Sequence, residues 1–487
     1  MQWSIRKTEG VLAAATLALG LGIGFALLGR GAWLDEFWTL VTTQPDQSWA
    51  RFWSLMAHEV HPPLHYILVE AARKIGVSDI AALRALNLLG VPLVFIALGY
   101  ALRRKALDGG QACALLAIYA SSPMFLDTLA DLRAYFLLYS AGIAVAVLAR
   151  VLMRAAARSE PWDWPTLALW FLSLFVFVNL HYYAVLMGGL LTTALILVRR
   201  GRGILAFAAV SALAATPAVI LFAVQRSSGT DLTSWIQTGR IDAILLMLDQ
   251  TWAAGAGNVV AFGLAVTMLL IGLQRRALQE EQRDSLVLLA ALAVFFAFLA
   301  VVNFVRPIVI DRYLIAGGGC ALTALVLLAV APQSPRWSVV AICTFALLSQ
   351  VRAVHTGDFE RTYAVHVRRG WIESAEAVRT MVAACPSARV FIDPSIYAGP
   401  HDMFTEARRF GMNYYAARFG FQPQEIAAGE KAPDPGACPN IVWFEHVLAP
   451  PQRAADMVAG AKLEFTGQVE MVRAGSGVVL INSAARS

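Results

Sequence analysis

What most restricts the fold of this chain is the recurrence of apolar runs long enough to cross a bilayer. They occupy approximately residues 11–29, 82–101, 111–127, 134–152, 165–180, 183–198, 203–223, 254–273, 285–304, 312–330 and 337–353. A helix needs about 20 such residues to cross the hydrocarbon, so the pattern predicts an α-helical polytopic membrane protein with about eleven transmembrane helices. Composition agrees: the chain is 58% hydrophobic and only 15% charged, with a mean hydropathy of +0.61. A soluble domain carries nearer a quarter charged residues. The formal net charge of +6 sits mostly as Arg in short clusters between apolar runs. Such clusters mark cytoplasmic loops rather than a nucleic-acid surface, and no nucleic-acid partner is expected. Neither a phosphate-binding G-x-x-x-x-G-K-[ST] loop nor a C-x-x-C pair occurs.

The first run follows a basic start and is too long for a signal-peptide core, which predicts an uncleaved helix with a cytoplasmic N-terminus. Segment 61–76 is apolar enough for a short span but holds Glu70, Arg73 and Lys74. If it lies flat on the outer surface, the basic clusters at 103–105, Arg154, Arg158, 199–202, Arg275, Arg276, Arg283 and Arg336 all face the cytoplasm. Residues of about 36–76 are therefore expected to be interfacial helices on the outer face of a bacterial-type inner membrane. On this topology "LDEFW", "HPPLHY", "LDTLADLRAY", "NLHYYA" and "RPIVIDRY" share one side. Most of the chemically capable polar clusters converge there.

Beyond residue 353 charge, Pro and Gly rise, and helical and strand patterns alternate. The expectation is a transmembrane domain over 1–353 and a soluble extracytoplasmic α/β domain over 354–487. Helices are expected over 370–384 and 403–420, strands over 388–393 and 440–445, and a hairpin over 463–482. Cys385 and Cys438 each precede a predicted strand, and a disulfide follows if those strands are neighbours in an oxidising compartment.

Asp35 and Glu36 end the first span, flanked by Trp33, Phe37 and Trp38. A solvated helix cap in an aromatic belt explains them, yet they have company. His61 precedes Pro62 and Pro63, which stiffen the chain and fix its direction. Asp127, Asp131, Arg133 and Tyr135 lie where a span ends, and His181, Tyr182 and Tyr183 fill a tight turn. Arg312 and Tyr313 open another outer end. Arginine forks suit phosphate oxygens, and histidine adds a donor or a cation. A carboxylate beside a phosphate site fits glycosyl transfer from a lipid-linked sugar phosphate. The carboxylate takes the acceptor hydroxyl's proton, and cationic groups stabilise the departing phosphate.

At these residues the sequence resembles the C superfamily (GT-C fold) of membrane glycosyltransferases. The likeness is to the branch holding protein O-mannosyltransferases and lipid A aminoarabinose transferases. The motifs are "LDEFW", "HPPLHY", "LRAY" and "DRY", over an architecture spanning roughly residues 1–330. The resemblance implies Asp35 as catalytic base with Glu36 its companion, and His61, Arg133, Arg312 and His181 as donor-phosphate contacts. Asp127 or Asp131 would be a second outer-loop acid, with Tyr135, Tyr182 and Tyr313 as further site residues. The implied reaction inverts a sugar from a polyprenyl-phosphate donor onto a hydroxyl of a glycan, a glycolipid, lipid A or a protein of the cell envelope. Metal dependence varies in the superfamily, and with no ligand cluster in the sequence neither metal nor other cofactor is expected. The competing reading is a transporter or flippase for a lipid-linked sugar, which would place polar groups deep in broken spans.

Overall fold

The computed structural model describes residues 2–198, 203–228, 236, 238–274, 278–331, 334–335, 337–356, 365–393, 404–426, 429–445, 456, 459 and 462–484. The basic clusters at 199–202, Arg275, Arg276 and Arg336, and Met403 at the start of an expected helix, lie outside them. By its contacts the chain divides into two units: Met1–Leu28 with Asp46–Phe359, and Gly29–Pro45 with Glu360–Ser487. The segment bearing the acid pair thus clusters with the C-terminal residues.

In order, the helices are α1 (Gln2–Leu28), α2 (Leu34–Thr42), α3 (Trp49–Met56), α4 (Leu64–Lys74), α5 (Ile80–Arg84), α6 (Gly90–Arg103), α7 (Gly109–Ser121), α8 (Pro123–Leu129) and α9 (Tyr135–Ala157). There follow α10 (Trp164–Val178), α11 (Tyr182–Val198), α12 (Ile204–Ser227), α13 (Arg240–Thr251), α14 (Val259–Gln274), α15 (Glu280–Val305), α16 (Gly318–Ala329) and α17 (Ser338–Thr356). The last two are α18 (Val365–Ala384) and α19 (Phe404–Phe419).

Each expected apolar run falls on helix. Among the described residues seven helices are long and apolar enough to cross a membrane, or nine if each of two bent pairs is one span. Helices α10 and α11 are apolar but shorter. The 55° bend between α7 and α8 has a local cause. Ser122 has extended backbone angles, as a residue before proline prefers, and its side chain accepts from the Phe125 amide to start α8. Segment 61–76 holds no helix of spanning length. Its helix α4 has 11 residues, about 16 Å of rise against about 30 Å of hydrocarbon.

The first unit is built around α9, whose spanning window is buried throughout. Gly319 on α16 sits directly on the Gly142 backbone of α9, so a Cβ there would meet main-chain atoms. Small residues allow this approach in a membrane, where packing rather than hydrophobicity holds helices together. At the far end of α9, Arg150 and Arg154 pair with Glu281, Asp284 and Glu280 of α15. Buried arginines of this kind need such partners.

Among the described residues the second unit holds a five-stranded sheet, β1 (Arg389–Ile392), β2 (Pro423–Glu425), β3 (Asn440–Phe444), β4 (Gln468–Ala474) and β5 (Gly477–Ser483), in the order β2-β1-β3-β5-β4. Strand β1 is parallel to β2 and β3, while β5 is antiparallel to β3 and β4. Phe391, Val442, Phe444, Val478 and Leu480 form a core on one face. The expected strands and hairpin are present, and β1 and β3 are neighbours. Cys385 and Cys438, one before each, are disulfide-bonded with Cα atoms 5.7 Å apart.

Candidate active site

In the second unit, α2 presents its two carboxylates in opposite ways. Glu36 is fully buried. Its carboxylate accepts from the Trp33 amide at 3.3 Å and pairs with Arg30 at 3.3 Å. This closes the helix start as the returning half of a capping box. Asp35, one residue earlier, lies about 100° away on the helix and is part-exposed. Of the pair, Asp35 is the less buried residue.

The first unit gathers residues from four segments far apart in sequence. Pro62 and Pro63 deliver the chain into α4, and the Leu64 amide donates to the Asn179 carbonyl at 3.2 Å. That bond ties the start of α4 to the turn between α10 and α11, and so brings His61 and His181 together. Their rings lie 5.1 Å apart. Tyr313, in the 3-10 turn Asp311–Gly317, packs 4.5 Å from His181 and 5.6 Å from His61. Tyr135, at the start of α9, sets its hydroxyl 3.4 Å from His61 Nε2. Arg133 donates from Nη1 to the Tyr66 hydroxyl at 2.9 Å, and its Nη2 lies 3.3 Å from His61 Nδ1.

Two members of this cluster were not singled out from sequence. Glu59 is buried beside His61, its Oε1 2.9 Å from Nδ1. Tyr66 is buried and also bonds to Glu59. The signal was a carboxylate two residues before the histidine of "EVHPPLHY", too short a pattern to name alone. Asp131 is buried and close enough to His65 to raise its pKa, whereas Asp127 sits part-exposed on α8. Tyr182 lines one cavity with His181 and Tyr313; its hydroxyl donates to Gln225 at 2.6 Å, and the Gln225 amide reaches the Met56 carbonyl. Arg312 lies close enough to lower the pKa of both His61 and His181.

Burial holds the histidines neutral. It lowers the pKa of His61, with Arg133 adding to the effect and Glu59 opposing it. It lowers His65 to about 3 and takes His181 well below its ordinary value, with His61, Arg133 and Arg312 pushing the same way. Burial also raises the Tyr66 hydroxyl well above its usual range. The fixed positive charge here comes from the arginines, and the rings act as hydrogen-bonding groups.

The His181 tautomer follows from its neighbours. Its Nδ1 accepts from the Tyr183 amide at 3.1 Å, so the neutral ring carries its proton on Nε2. That Nε2 is buried without a hydrogen-bond partner among the described residues. His181 lines a cavity of about 360 Å³, together with Tyr183, Tyr313, Arg226 and Arg306. A buried donor left open costs roughly 1–3 kcal/mol unless something accepts from it. The arrangement can receive an anionic oxygen. Among the described residues no group of three or more His, Cys, Asp or Glu is placed to hold a metal ion.

No family model and no curated protein matches this sequence. Solved structures do. ArnT from Cupriavidus metallidurans in the apo state superposes with a TM-score of 0.53 at 13% identity, over 97% of this chain and 98% of that one. ArnT from Cupriavidus metallidurans bound to undecaprenyl phosphate gives a TM-score of 0.52 at 13% identity over the same shares. The chain therefore has the fold of these proteins: a multi-pass helical membrane protein with a small C-terminal sheet.

Proposed function

We propose that the protein is an inverting glycosyltransferase that moves a sugar from a polyprenyl-phosphate carrier to an acceptor hydroxyl at the outer face of the inner membrane. The observation that carries this reading is the open Nε2 donor of His181 at a cavity edged by Arg226 and Arg306, with Arg133 and Arg312 nearby. A carbohydrate phosphate satisfies that donor and those charges together. The shared fold supports the choice of carrier, since one ArnT structure holds undecaprenyl phosphate.

In the proposed reaction, Asp35 removes the proton of the acceptor hydroxyl as its oxygen attacks the anomeric carbon. The bond from that carbon to the phosphate oxygen breaks, and polyprenyl phosphate leaves with the electron pair. His61, His181, Arg133 and Arg312 hold the phosphate as its charge grows. Asp131, Tyr135 and Tyr313 order this cluster, and Glu36 secures the helix that carries Asp35. With charge stabilisation supplied by arginine, turnover is proposed to need no added metal. The N-terminus is proposed to lie in the cytoplasm and the C-terminal unit outside it. The Cys385–Cys438 disulfide and the basic clusters that alternate with the spans support that orientation.

The test is Asp35→Asn, which keeps the shape and removes the charge. With a radiolabelled polyprenyl-phosphate sugar and a crude envelope acceptor, the variant is expected to release polyprenyl phosphate roughly 10²- to 10⁴-fold more slowly, on the order typical of a lost general base. Unchanged release from a folded, inserted variant removes Asp35 from the chemistry. The bent pairs α7–α8 and α13–α14 are also features a carrier would use. A wild-type protein that moves the intact donor across vesicles without splitting it is a transporter.

A further inference from the structure

The segment carrying the acid pair belongs, by its packing, to the C-terminal unit. Phe37, next to Glu36, is fully buried. Its ring meets Trp371 of α18 at 5.0 Å, and Phe410, Tyr414 and Tyr415 of α19 at 6.0, 5.8 and 5.8 Å. Gly411 leaves room for that ring: a Cβ there would lie 2.5 Å from Phe37 and 2.7 Å from Trp371. The Tyr415 hydroxyl accepts from the Ala32 amide at 2.7 Å and donates to the Ala32 carbonyl at 3.0 Å. Tyr415 is itself fully buried, so these bonds form away from water, where leaving both ends of Ala32 unpaired is costly.

Helix α2 has nine residues. Isolated helices below about 12–15 residues are marginal in water, so α2 takes its stability from what it packs against. Within its unit that partner is the α18–α19 pair.

We infer that the α18–α19 pair acts as the scaffold that positions Asp35, with Phe37, Gly411 and Tyr415 as positioning residues. The C-terminal unit is then part of the transfer machinery rather than a detachable acceptor-binding appendage. The inference rests on the proposed role of Asp35.

Its test uses the full-length protein in detergent or nanodiscs, with hydrogen exchange over residues 32–42 and donor turnover read in parallel. Tyr415→Phe keeps the ring and removes both bonds to Ala32. Exchange over 32–42 is expected to quicken about tenfold or more, while the helices of the first unit keep their protection. The turnover constant is expected to fall with the donor KM nearly unchanged, because the phosphate contacts lie in other residues. Gly411→Ala, which crowds Phe37 and Trp371, should act the same way and serves if Tyr415→Phe folds poorly. Unchanged exchange over 32–42 in both variants overturns the inference. Faster exchange with undiminished turnover confirms the packing but removes the catalytic role from Asp35, which separates that failure from the first.

Discussion

Three histidines of the first unit are kept neutral by burial, and this has a consequence for stability. A histidine whose folded pKa lies below its unfolded value binds fewer protons when folded. Its contribution is intact above about 6.5 and is lost as pH falls toward the folded value. For His65 that window runs from the ordinary value of 6.5 down to about 3. Each such group costs up to about 1.4 kcal/mol per pH unit within its window. Thermal unfolding is therefore expected to fall between pH 7.5 and pH 5.5, and His65→Gln should make that fall shallower. An identical slope in the variant would show that His65 does not titrate differently in the two states. At the same scale, residue type and order pointed to His61, His181 and Arg133. The neutrality of the two histidines was not legible, because it depends on burial by residues from α9, α11 and the 311–317 turn.

Among the elements, the contact between α9 and α16 tolerates little change. Gly319 lies against the Gly142 backbone, and main chain cannot step aside as a side-chain tip can. Gly319→Leu is expected to cost about 3 kcal/mol or more, the upper range of overpacking, and to leave little monodisperse protein in detergent. Gly263→Leu on α14 is the control, since a Cβ there meets nothing within 4 Å. Equal thermal stability of the two variants would mean that α16 has room to shift. Nothing in the apolar pattern separates Gly319 from Gly263. Strand β2 escaped notice for a similar reason: "PQE" has no strand pattern, and pairing with Val390, Phe391 and Ile392 makes it one.

For the whole molecule, the disulfide joins the question of stability to that of side. Cys385 and Cys438 close a loop with a sequence separation of 53. Chain entropy gives such a crosslink roughly 4 kcal/mol. The double serine variant should leave the sheet unit far more open to proteolysis while the apolar helices resist as before. In membranes alkylated at harvest without reductant, neither cysteine is expected to label. Free thiols at both positions would place this unit in a reducing compartment and reverse the orientation.

The sequence by itself determined that the chain is a helical membrane protein with a small α/β sheet near its C-terminus. Span length, charge depletion and strand alternation are local quantities and can be read residue by residue. It also marked the motifs with chemical capacity, because Asp, His and Arg occur together in them at run ends that the predicted topology puts on one side. Only the tertiary structure decided how those motifs are divided. Glu36 went to the helix start and Asp35 stayed part-exposed. Glu59 and Tyr66 joined His61, and α2 was claimed by α18 and α19. Each of these depends on which distant segment arrives, and a contact across more than 300 residues leaves no trace in local pattern.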